Sequence, residues 1–302
     1  MPSLMDVRRK IKSVAATEQI TKAMQMVAAA RMRRSQSTIL SARPFALKME
    51  ELVRHLAEIQ EGEDLSGAES DAFHPFLDDR RPAGRHALVL VTGDKGLCGA
   101  FNANLLRRSV EWLREHAGQK ICLAVVGRKG REFLRRLKGS GIEALYELAG
   151  IFPRVSYAHA ELLGKVLMDA YLERGLSDVT VIYNEFKSIA QQQVVRYRLL
   201  PIPPPSAQEP SARRRYRDLS YEPGRLELLA ALLPRYVKGQ LYRILLESQA
   251  AELAARMNAM DAASKNAKDL REALKLDLNR RRQAGITREI AELVGGAEAL
   301  VS

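Results

Sequence analysis

The chain has 302 residues, 46% of them apolar and 28% charged, which are the proportions of an ordinary soluble protein with enough length to bury one large core or two modest ones. Lys and Arg outnumber Asp and Glu 48 to 36, a balance of +12 that suits nucleic acid, an anionic membrane surface or an acidic protein partner. Two cysteines without CxxC spacing and five scattered histidines exclude a disulfide framework and a zinc site, and no apolar run approaches the roughly 20 residues of a membrane span.

Residues 3 to about 58 hold no glycine, and Pro44 is their only proline. Leu4, Val7, Ile11 and Val14 step by three and four, the stripe of one amphipathic helix. The pattern then passes to Ile20, Met24 and Val27 and on through Ala28, Ala29 and Ala30, whose small side chains admit a second helix at close range. Ser3 is placed to cap this helix, with Asp6 near the positive end of its dipole. Pro44 removes one backbone donor and crowds the preceding turn, so a bend or an interruption is expected near Arg43. The basic, amphipathic N-terminus has the look of a mitochondrial transit segment. Its pattern nevertheless runs on through Glu50 and carries Asp6 and Glu18, so it reads as mature structure.

Residues 61–85, with Gly62, Gly67, Pro75, Pro82 and Gly84, read as a linker. Beyond them the period changes from helical to the short apolar runs of buried strands, at 86–91, 121–126, 178–183 and 193–200. Helical stretches at 102–117, 128–139 and 156–175 lie between the strands. Strands alternating with helices over 86–205 imply a mostly parallel sheet covered on its faces, a Rossmann-like α/β domain. The Pro-rich run from Pro201 to Pro210 closes it, and 206–224 forms a second linker or foot.

From 225 to 302 the helical period returns. Pro234 is expected in the first turn of a fresh helix, where a missing N–H costs little. Val237, Leu241, Ile244, Ser248, Ala251, Ala255, Asn258 and Ala262 carry a stripe that resumes at Leu270, Leu274 and Leu278 and again at Ile286, Ile290, Leu293 and Ala297; Gly295 and Gly296 predict fraying. Some 60 helical residues reach on the order of 90 Å, too long for the interior of a compact domain. With a matching helix at residues 1–60, the simple outcome is a long antiparallel coiled coil of the two chain ends.

Thr92-Gly-Asp-Lys-Gly-Leu-Cys-Gly99 follows a strand and precedes a helix, where phosphate loops are found, but its spacing fits neither GxGxxG nor the P-loop. A tight turn explains it, with Cys98 packed beneath and Asp94 and Lys95 as a solvated pair. No nucleophile, base and orienting group come together in the sequence, so neither catalytic residues nor a cofactor site are assigned.

Several runs are specific. Ile20 to Arg34 (ITKAMQMVAAARMRR) closely resembles the N-terminal signature of the ATP synthase gamma-subunit family. Asp94 to Gly99 with Phe101 and Asn102 looks like its central turn, although Ala100 stands where the family more often has glycine. Asn184 to Ser188, Leu233 to Val237, Ala255 to Met260 and above all Arg282 to Glu298 match in order across nearly the whole chain.

The resemblance implies a rotor. The terminal coiled coil would insert into the hexamer of alternating alpha and beta subunits. The α/β domain, with the epsilon subunit, would sit on the proton-driven membrane c-ring. Met24, Arg256, Arg282, Gln283, Thr287, Glu289 and Glu292 match family positions that touch the hexamer, and Tyr221 and Glu222 match the foot that meets epsilon and the ring. An acidic loop on the family's catalytic subunits gives the basic balance a partner. Chloroplast members carry a cysteine-bearing insert, whereas residues 201–222 hold no cysteine, so thiol switching is not expected. The expected location is peripheral, at the cytoplasmic face of a bacterial inner membrane. Without the resemblance, the competing reading is a basic coiled-coil protein that binds nucleic acid, signalled by Arg280, Arg281 and Arg282; no recognition module accompanies them.

Overall fold

The computed structural model describes residues 3–63, 74–78, 84–137, 139–152, 154–203 and 224–301, with backbone alone for 43, 54–63, 225, 226, 295 and 297–301. Five strands and five helices are found among them: α1 (Leu4–Glu63), β1 (Arg85–Val91), α2 (Phe101–Glu115), β2 (Lys120–Val126), α3 (Arg128–Arg136), β3 (Glu143–Leu148), α4 (Tyr157–Glu173), β4 (Leu176–Phe186), β5 (Gln192–Leu200) and α5 (Arg225–Val301). Two compact units result, Met1–Ala29 with Arg256–Ser302, and Ala30–Ala255. Tyr221 and Glu222 lie outside the described residues, as do 64–73 and 79–83 of the first expected linker, 206–223 of the second, and 204 and 205 before it.

The larger unit is built on a five-stranded sheet in the order β3-β2-β1-β4-β5. Strands β1 to β4 run parallel, and β5 returns antiparallel along β4. Side chains alternate along β1: Ala87, Val89 and Val91 enter one core, Leu88 and Leu90 the other. The first core is completed by Leu163, Leu167 and Tyr171 of α4 and by Leu233, Val237, Leu241 and Ile244 of α5. The second takes Phe101, Leu105 and Trp112 of α2 and Leu134 of α3. Both faces of the sheet are therefore buried at its centre, which is why β1 and β2 are continuous apolar runs rather than alternating ones. At Gly164 the helices α4 and α5 cross closely, since an added Cβ would meet Lys238 Cγ at 3.1 Å.

Four expectations are corrected. Helix α1 passes through Pro44 without a break. One lost hydrogen bond there is offset by the packing that follows, with Val53 only 2% exposed and Met49 and Leu52 against the same core. Pro234 lies inside α5 rather than at the start of a helix, flanked by buried Leu232, Leu233, Tyr236 and Val237. The helix also runs past Gly295 and Gly296 to Val301. Strand β3 was not anticipated; it is an edge strand, bonded to β2 alone.

A short segment pins the sheet edge. Phe76 is buried 5.9 Å from the ring of Tyr171, and its carbonyl accepts a 2.7 Å bond from the Ile202 amide. The Phe76 amide donates to Nδ1 of His74 at 3.2 Å, so His74 must be neutral to accept it. Burial lowers the His74 pKa below its ordinary 6.5. A depressed histidine favours the fold above its unfolded value, and that contribution is lost as the pH falls through 6.5 toward the folded value. The Phe76 amide is thus expected to exchange faster at about pH 5 than at about pH 7.5 once intrinsic rates are removed. Equal protection at both would contradict this.

Candidate functional site

The turn after β1 is the first place to look for chemistry, and it is filled by its own side chains. Thr92 is fully buried; its hydroxyl donates to the Val126 carbonyl at 2.9 Å and accepts the Gly130 amide at 2.7 Å. Asp94 is 8% exposed and accepts the backbone amides of Arg128 (3.0 Å), Gly150 (2.8 Å) and Phe152 (3.0 Å). This carboxylate, at the N-terminus of α3, occupies the place where an anion would be held. The expectation of a solvated Asp94–Lys95 pair is thereby corrected: Lys95 is exposed, while Asp94 is a buried clamp joining three segments. Cys98 is buried beneath the turn, and both cysteines are free thiols. Asn102 ties the turn to α2, accepting the Gly93 amide at 3.0 Å.

The second place is the smaller unit. Within it α1 and α5 run antiparallel: Gln25 donates to Asp261 at 2.9 Å, and Glu18 pairs with Arg271 at 2.8 Å. On α1 the seam repeats every seven residues, with Val7, Thr21 and Ala28 buried and Val14 half-buried between them. On α5 it runs through Met260, Ser264, Ala267, Arg271, Leu274, Leu278, Arg281 and Gly285, alternating steps of four and three. The stripe expected from the sequence overlaps this seam at Val7, Val14, Ala28, Leu274 and Leu278 and departs from it elsewhere. Ile20 and Val27 are 59% and 51% exposed, and Asn258, Ala262 and Leu270 also face outward. Much of the seam is small or polar (Thr21, Ala28, Ser264, Ala267 and Arg271), so Ile20, Val27 and Leu270 drew part of the reading to the outer face.

The two helices of this unit differ in length. At 1.5 Å per residue, α1 supplies about 39 Å up to Ala29, and α5 about 69 Å from Arg256 onward. Gly285 is the last half-buried position on α5; every described side chain after it is exposed. Ile286, Ile290 and Leu293 are 49%, 55% and 74% exposed and share one stripe at 3.6 residues per turn.

Arg282, Gln283, Thr287, Glu289 and Glu292 all lie exposed on this tip. Arg282 and Glu289 flank one edge of the apolar stripe, Gln283 and Thr287 the other, and Glu292 sits further round. The Thr287 hydroxyl donates to the Gln283 carbonyl at 3.0 Å. Arg256 and Met24 are half-buried and do not join this group. Along α5, Arg256 is about 39 Å from Arg282, and the Gln25–Asp261 bond places Met24 near the level of Arg256. The expected contact residues therefore form two levels on one rod, not one cluster. The apolar faces that sequence reasoning assigned to the seam, Ile20 with Val27 and Ile286 with Ile290 and Leu293, are instead open surface beside those levels.

Comparison with known proteins bears on what such a rod is. A family model described as ATP synthase matches residues 3–300. An ATP synthase gamma chain of Elusimicrobium minutum is 42% identical over 99% of this chain and 99% of its own. One from Anaeromyxobacter sp. (strain K) is 43% identical over 99% and 100%. Among solved structures, the central stalk and c-ring of the Tetrahymena thermophila mitochondrial ATP synthase includes a chain 26% identical, with TM-score 0.57, covering 81% of this chain and 99% of that one. A chain of the Euglena gracilis mitochondrial ATP synthase shares the fold at TM-score 0.66 and 16% identity, covering 98% of this chain and 94% of its own. With two long terminal helices, a covered parallel sheet and relatives matched from end to end, the chain belongs to the ATP synthase gamma-chain family.

Proposed function

We propose that the chain is the central-stalk shaft of a proton-translocating ATP synthase and performs no catalysis itself. One observation carries this most directly: the tip of α5 presents an unpartnered apolar stripe edged by polar residues, the surface of a rod seated in a sleeve. Apolar contact there is non-directional, so it can hold an axle without fixing its angle. Arg282, Gln283, Thr287, Glu289 and Glu292 would supply charge-assisted and neutral hydrogen bonds to the alpha/beta hexamer, and Met24 and Arg256 would do so one level away. Exposed pairs of this kind are individually weak, about 0–1 kcal/mol, and so are able to release as the shaft turns.

Coupling follows from the shaft's lopsided faces. Each catalytic subunit would meet a different side of the rod in turn, and a rod that binds one conformation of a subunit better than another shifts that subunit's nucleotide affinity by the difference. The α/β domain would take up torque from the c-ring together with epsilon, with Tyr221 and Glu222 at the foot. The partners would hold the chain at the cytoplasmic face of the membrane as a peripheral subunit; no described helix is long and apolar enough to cross one. The +12 charge suits an acidic bearing.

The test is recovery of the tagged chain. Alpha, beta and epsilon subunits are expected to accompany it in a complex that hydrolyses ATP, while the chain alone hydrolyses none. Recovery free of these subunits, or bound to DNA, would overturn the proposal.

A further inference from the structure

Two of the five histidines, too far apart in the sequence to signal a metal site, are brought together by the fold. His86 is the second residue of β1, on the face that α2 covers, and His116 is the residue on which α2 ends. Both are half-buried, and their ring centroids are 5.1 Å apart with the planes inclined at 60°. The His116 ring also stacks on Trp112, the chain's single tryptophan, at 4.0 Å.

One nitrogen of each ring is already committed. His86 Nδ1 meets Oδ1 of Asp178, its cross-strand neighbour on β4, and an ionised carboxylate only accepts, so this nitrogen carries the proton. His116 Nδ1 donates to the Trp112 carbonyl at 2.9 Å for the same reason. The neutral rings therefore hold their lone pairs at Nε2, and among the described residues neither Nε2 has a hydrogen-bond partner. Asp178 is itself held in place, accepting from the Thr180 hydroxyl at 3.0 Å. A carboxylate or a backbone carbonyl on the far nitrogen is what fixes the tautomer and aim of a metal-bound imidazole, and here one ring has each.

The surroundings suit a cation. His116 stands at the negative end of the α2 dipole, with the Asp178 carboxylate beyond His86. Of the neighbouring basic groups, Arg196 lies 5.9 Å from the Trp112 ring and is paired with Glu115 at 2.6 Å, and Arg85 is paired with Glu143 at 3.0 Å. Arg114, Lys120 and Arg198 are exposed, where solvent and salt screen them. No group of three His, Cys, Asp or Glu side chains able to hold a metal is found among the described residues, so the chain supplies two ligands and water the others.

We propose that His86 and His116 bind a divalent first-row transition ion of the imidazole-preferring kind through their Nε2 atoms, joining the end of α2 to β1. Two imidazoles on one tetrahedral ion, at metal–nitrogen distances of about 2.0–2.1 Å, have ring centres about 5 Å apart, which is the separation the fold sets. The site lies in the α/β domain and does not depend on the stalk role.

Titration of the purified full-length chain with Cu²⁺, the ion of this series that such ligands hold most tightly, tests the proposal through the fluorescence of Trp112. A saturable quench that a chelator reverses is expected, because the ion would lie against the ring stacked on the indole. His86→Ala and His116→Ala are each expected to shift the midpoint roughly tenfold or more to higher Cu²⁺, while His159→Ala, on α4, leaves it unchanged. Circular dichroism confirms that each variant is folded, and glutamine replaces alanine at a position where it is not. No saturable quench, an unchanged midpoint in either folded variant of His86 or His116, or an equal shift in His159→Ala would overturn the proposal.

Discussion

Changing Ile286, Ile290 and Leu293 together to serine is expected to lower ATP turnover by the assembled complex roughly tenfold or more, with the α/β domain fully folded. An aliphatic side chain taken out of water is worth about 1.5–3 kcal/mol, so three on one stripe outweigh any set of exposed polar contacts beside them. The cost to the helix itself is small, because serine in an exposed helical position loses about 0.5 kcal/mol against the best helix formers. These residues belong to the unit of Met1–Ala29 and Arg256–Ser302, whereas both sheet cores belong to the other. Arg282→Ala with Gln283→Ala should act in the same direction but by less, since each exposed contact contributes about 1 kcal/mol or below. Steady-state ATP hydrolysis by the reconstituted complex, read beside thermal melts of the chain, separates these effects. Wild-type turnover in the triple variant would remove the apolar tip from the bearing.

The second large effect lies in the α/β domain. Gly127 precedes α3 at φ 90°, ψ 153°, and an added Cβ would sit 2.2 Å from the Thr92 carbonyl oxygen. Gly127→Ala is expected to destabilise the domain by about 4 kcal/mol or more in denaturant melts, because backbone must move and the left-handed φ is strained in addition. Gly118→Ala is the control. Its φ is +86°, but nothing lies within 4 Å of the new methyl, so strain alone costs about 1 kcal/mol. Asp94→Ala should fall near 3–5 kcal/mol, since it leaves three amides without their charged acceptor. Similar midpoints for Gly127→Ala and Gly118→Ala would show that the turn yields more readily than its geometry implies.

The sheet was legible because burial on both faces writes the central strands β1, β2 and β4 with apolar runs at 86–91, 121–126 and 178–183, while 193–200 falls in the edge strand β5. Strand β3 was not, because an edge strand half in solvent has the mixed sequence Glu-Ala-Leu-Tyr-Glu-Leu, which no period distinguishes. The long helices were legible from their length and lack of glycine, but their prolines misled. Pro44 and Pro234 are tolerated through tertiary packing, which local rules do not see. The seam was read in part: Val7, Val14, Ala28, Leu274 and Leu278 lie on the expected stripe, but Thr21 and Gln25 also carry the register, and a hydrophobicity count passes over them in favour of Ile20 and Val27. The burial of Asp94 depends on amides 34 to 58 residues away, a convergence that only the fold creates. The proposed contact residues on the tip were reached through family resemblance alone; nothing in their spacing marks Gln283 or Thr287.

Rotation is the central claim, and it is directly observable. Ser140 is exposed on the α/β domain, while Cys98 and Cys122 are buried, so Ser140→Cys offers a selective attachment point for a bead. With the hexamer fixed to glass and ATP supplied, the account predicts that the bead turns stepwise in one direction. A stationary bead on complexes that continue to hydrolyse ATP would contradict it.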